Sequence, residues 1–67
     1  MNDNRALDTA ERAYASNPND APVCDTLGWI LVESGQVDRG LKLIEQAIEI
    51  DPNNPDIQEH YKLAKAK

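Results

Sequence analysis

The sequence predicts an all-α fold, an antiparallel stack of helix hairpins with about four helices. Three observations carry that prediction. The 67-residue chain repeats itself: residues 3–20 laid on 37–54 share Arg5/Arg39, Leu7/Leu41, Glu11/Glu45, Ala13/Ala47, Pro18/Pro52 and Asn19/Asn53 without a gap. Self-similarity at a fixed period, here 34 residues, is the mark of stacked repeat units. Apolar residues recur at helical spacing, and no segment alternates with period two, so no strand is expected. Capping residues, glycine and proline fall between the apolar stretches, where helices stop and start.

The first helix is predicted over residues 4–16, ending before "NPND". The second covers 22–34, with Asn19 or Asp20 as its N-cap and Pro22 in its first turn. Val23, Leu27, Ile30 and Ser34 form one stripe on it, and Cys24, Gly28 and Leu31 form an adjacent one. Two apolar stripes mean a helix packed on both sides. Gly35 supplies a left-handed stop. The third helix, 38–50, starts near Asp38, which is expected to cap it, and Pro52 prevents its continuation. Asn54 then caps a last helix, 55–66, with Pro55 at its first position.

Composition bounds the function. A chain this small is one domain, residues 1–67, and folding buries only about 60% of its unfolded surface. With one cysteine, Cys24, it has no internal disulfide, and with one histidine, His60, it lacks a Cys/His zinc ligand set. The net charge of −5 argues against nucleic acid and against an anionic membrane surface. The longest apolar run, "WILV" at 29–32, is far short of the ~20 residues that span a bilayer. No signal peptide is visible, so a soluble, cytoplasmic chain is expected if the sequence is complete. An envelope or periplasmic location stays open if it is an excerpt. Neither "GxxxxGK" nor "GxGxxG" occurs, and no cofactor is implied.

The stretch "LGWILVESGQVDRGLKLIEQAIEIDPNN" resembles the tetratricopeptide repeat. It carries the Leu27–Gly28 pair, the turn glycine Gly35, Ala47 late in the second helix and the closing Pro52. Cys24 stands where the family often has Trp, and Gly40 where it usually has Ala; both permit close helix contact. The resemblance divides the chain into the second helix of a preceding repeat (4–16), a full repeat (21–54) and a C-terminal capping helix (55–66). "DTLGWIL" is also similar to the late repeats of long bacterial members linked to envelope and exopolysaccharide export. The capping reading has its own support in the residues. One period on, Val23, Leu27 and Ile30 become Ile57, Tyr61 and Ala64, which stay apolar, while Cys24, Gly28 and Leu31 become Gln58, Lys62 and Lys65. A polar outer face is what the end of a stack requires.

The resemblance implies a non-enzymatic protein-interaction module with a concave groove for a peptide or helix. That groove would be lined by Asp25, Trp29, Val32 and Glu33 of the second helix and by Asp56, Glu59 and Leu63 of the last, with His60 and Ala66 beside them. It would be acidic with apolar islands, and so suited to a basic, partly apolar protein or peptide. Some members hold a chaperone's C-terminal carboxylate with Lys, Arg and Asn in this groove; Asp25, Trp29, Glu59 and Leu63 in those places would repel it. Trp29 is either a partner anchor or a cover for a neighbouring helix. A second expectation concerns Ala6, Ala10 and Ala13, which lie on one face of the first helix with no predicted partner. That face could join another copy of the chain in a homo-oligomer. An enzyme's accessory domain is the remaining alternative. It has little support, because Cys24 lies on a packing stripe, His60 lies on the other side of a different helix beside Glu59, and the carboxylates do not converge.

Overall fold

A computed structural model describes residues 5–67. It contains four helices: α1 (Arg5–Ser16), α2 (Ala21–Glu33), α3 (Val37–Ile50) and α4 (Pro55–Lys65). Asn4, the predicted first residue of the first helix, lies outside the described residues. Among the described residues there is no strand, so the all-α stack of hairpins stands. Each helix packs antiparallel on the next, and α4 also reaches back to α2. The result is a slab of 35 × 29 × 16 Å.

The turns follow from local chemistry. Asp20 caps α2 by accepting from the Val23 amide at 3.3 Å, and Asn54 caps α4 by accepting from Asp56 (3.0 Å) and Ile57 (3.3 Å). Gly35 adopts φ 98°, the left-handed conformation that favours glycine. Around it Gly35 N–H donates to the Val32 carbonyl and Gln36 N–H to that of Leu31, the bond pair of a Schellman stop. The start of α3 departs from expectation. Gln36, not Asp38, is its N-cap, and no side chain bonds the free amides there. Asp38 sits inside the first turn, where its charge still favours the helix dipole.

The core falls into two groups, though not along the two expected stripes of α2: Leu31, expected beside Cys24, packs with Leu27, and Ala21 and Val32, from neither stripe, are buried as well. Cys24, Val32 and Ala21 pack with Ile44 and Ala47 of α3 and with Ile57 and Ala64 of α4. Leu27 and Leu31 pack with Ala10 of α1. Tyr14 touches both groups. The α1–α2 turn is pinned through the Pro18 carbonyl, which accepts from Gln46 Nε2 at 2.9 Å and from the Cys24 thiol at 3.3 Å. Cys24 is thus a buried packing residue, and burial, followed by the negative charge of Asp20, pushes its thiol pKa up.

Gly28 and Gly40 let α2 and α3 come together. A Cβ on Gly28 would stand 2.7 Å from the Gly40 carbonyl oxygen, and one on Gly40 would collide with the Gly28 carbonyl oxygen and reach within 2.5 Å of Val32 Cγ2. Gly40 therefore fits where the alanine usual in the repeat would not fit without a shift of the helices.

Candidate partner-binding surfaces

Two surfaces come out of this packing. The first is the face shared by α2 and α4. Asp25, near the start of α2, is buried, and both its carboxylate oxygens lie 2.8–2.9 Å from His60 Nδ1 of α4. The His60 ring stacks on Trp29, centroids 4.9 Å apart and planes 18° from parallel. The Lys67 ammonium lies 6.0 Å from the Trp29 centroid. His60, in contact with both Asp25 and Trp29, ties α4 directly to α2. Trp29 is half-buried and packs on the core.

Of the predicted groove residues, Glu33, Asp56, Glu59 and Leu63 are exposed, Leu63 by 46%. Asp25 is engaged by His60. Val32 is a correction: only 2% of it is exposed, because α3 comes in over it at Gly40. The helical wheel places Val32 on Trp29's side, but a residue behind so close a helix crossing has no open face.

The second surface is a groove of about 550 Å³ between α1 and α2. Its α1 wall is Arg5, Ala6, Thr9, Ala10 and Ala13; its α2 wall is Pro22, Val23, Thr26 and Ile30. Ala6 is exposed, Ala13 half-buried, and Ala10 buried by Leu27 and Leu31 at the groove floor. The predicted alanine face is therefore one wall of a concavity. The sequence reading missed the other wall. Val23 and Ile30 share a stripe with the buried Leu27, yet both are only half-buried. The signal was the small size of Ala6, Thr9 and Ala13, too short to cover two β-branched neighbours.

The relation between the two surfaces is periodic. Moved on by 34 positions, Ala6, Ala10 and Ala13 become Gly40, Ile44 and Ala47, while Val23, Thr26 and Ile30 become Ile57, His60 and Ala64. Gly40, Ile44, Ala47, Ile57 and Ala64 are all buried, and α2 is the helix that covers them. The α1/α2 groove is thus the imprint of a helix, in the shape that α2 occupies on α3 and α4.

A family model described as tetratricopeptide repeat matches residues 4–67. The chain belongs to the tetratricopeptide repeat family. Tetratricopeptide repeats are generally protein–protein interaction modules, typically non-enzymatic scaffolds. No curated protein and no solved structure matches the chain, so the likeness to export proteins rests on residues 25–31 alone. Among the described residues no group of three His, Cys, Asp or Glu side chains could hold a metal ion, and no helix is long and apolar enough to cross a membrane.

Proposed function

We propose that this tetratricopeptide repeat chain is a non-enzymatic interaction module that takes a partner's α-helix in the α1/α2 groove, with α4 as the closing cap of the stack. The observation that carries this reading is the imprint itself: an apolar concavity whose counterpart one repeat along is filled by a helix of the same chain. Groove recognition of a helix relies on apolar anchors at i, i+4 and i+7. Cys24, Gly28 and Leu31 of α2 have that spacing, so a peptide of residues 20–34 is a rational probe. Titrated into the labelled chain, it should move the amide signals of Ala6, Thr9, Ala13, Thr26 and Ile30. Shifts confined to other residues would remove the groove from the proposal.

A second reading is favoured by Leu63, an exposed leucine flanked by Glu59 and Asp56. On it, a basic, partly apolar peptide binds the α2/α4 face beside Trp29, with affinity that falls with salt over the ~8–10 Å screening length near physiological ionic strength. This surface is smaller than the one expected from sequence, since His60 occupies Asp25 and Val32 is covered. Leu63→Ser should abolish such binding; binding that survives it, or that strengthens with salt, counts against this face.

A further inference from the structure

We draw no further inference here: the strongest candidate, the identity of the occupant of the apolar groove between α1 and α2, where Ala6, Ala10 and Ala13 face Val23 and Ile30, belongs to the site already described, and nothing in the structure shows what covers it.

Discussion

Gly28 and Gly40 meet carbonyl to α-carbon across the α2–α3 crossing, each filling the space a side chain on the other would need. In isolation, alanine at either place would favour the helix by about 1 kcal/mol. In this packing the added methyl must push the helices apart, and overpacking a tight core costs about 1–3 kcal/mol. The net expectation for Gly40→Ala and Gly28→Ala is destabilisation. At about 4–8 °C per kcal/mol for a domain of this size, thermal melts resolve it. A raised melting temperature in either variant would contradict the crossing as described.

His60 is the hydrogen-bonding partner of the buried Asp25 carboxylate. His60→Ala should cost about 1–3 kcal/mol, the penalty of a buried acceptor left unpaired. Asp25→Ala added to it should cost less than the two single changes summed, with a coupling of about 1 kcal/mol or more. Urea unfolding of the four proteins in the cycle measures this; strict additivity would show that the contact contributes nothing.

Trp29 is packed against both the core and His60 while remaining half-exposed. Trp29→Ala should therefore cost about 2–3 kcal/mol, below the 3–5 kcal/mol of a fully buried aromatic. A loss under about 0.5 kcal/mol, the range of ordinary surface changes, would mean that the ring is held only by solvent-side contacts.

Cys24 couples stability to alkaline pH. Burial first, and the charge of Asp20 second, raise its folded pKa above the ordinary thiol value. The unfolded chain then loses the thiol proton at lower pH than the folded chain does. Stability owed to the neutral thiol is fully present below the ordinary value and declines as pH rises towards the folded one. Between about pH 8 and pH 9.5, around the ordinary thiol pKa, the wild type should lose stability faster than Cys24→Ala. Parallel slopes for the two proteins would be the contrary result.

The caps predict opposite signs. Asn54→Ala removes two accepted amide bonds and should cost about 1 kcal/mol. Gln36→Asp offers α3 the side-chain acceptor that it lacks and should gain about 0.5–1 kcal/mol. Equal midpoints for Gln36→Asp and wild type in chemical denaturation would show that the turn geometry forbids the new bond.

What could be read from the sequence was what is local. Gly35, Asp20, Asn54 and Pro55 act within one turn of the chain, and their roles follow from residue type and position. That α2 packs on both sides followed from spacing, but the side to which Leu31 turns did not. Relations between helices were harder. Asp25 and His60 are 35 residues apart, and their meeting depends on the angle between α2 and α4, which no local pattern states. Val32 shows the same limit: its position on the wheel is right, but its burial depends on how near α3 comes, and that is decided by the missing side chain of Gly40. Asp38 was a reasonable cap by type, but the N-cap is Gln36, two residues earlier, directly after the turn at Gly35. The groove needed both kinds of information, the small face of α1 and the incomplete cover of Val23 and Ile30.

The bond between Asp25 and His60 also bears on how this stack comes apart. In a repeat array each helix is held mainly by its immediate neighbours, so a terminal helix can fray while the rest endures. Here α4 grips α2 as well as α3. Peeling it away would strip Asp25 of its partner, uncover Trp29 and open the shared core around Ile57 in one event. The last helix and the central one are therefore expected to open together, without a separate melting of the C-terminal helix.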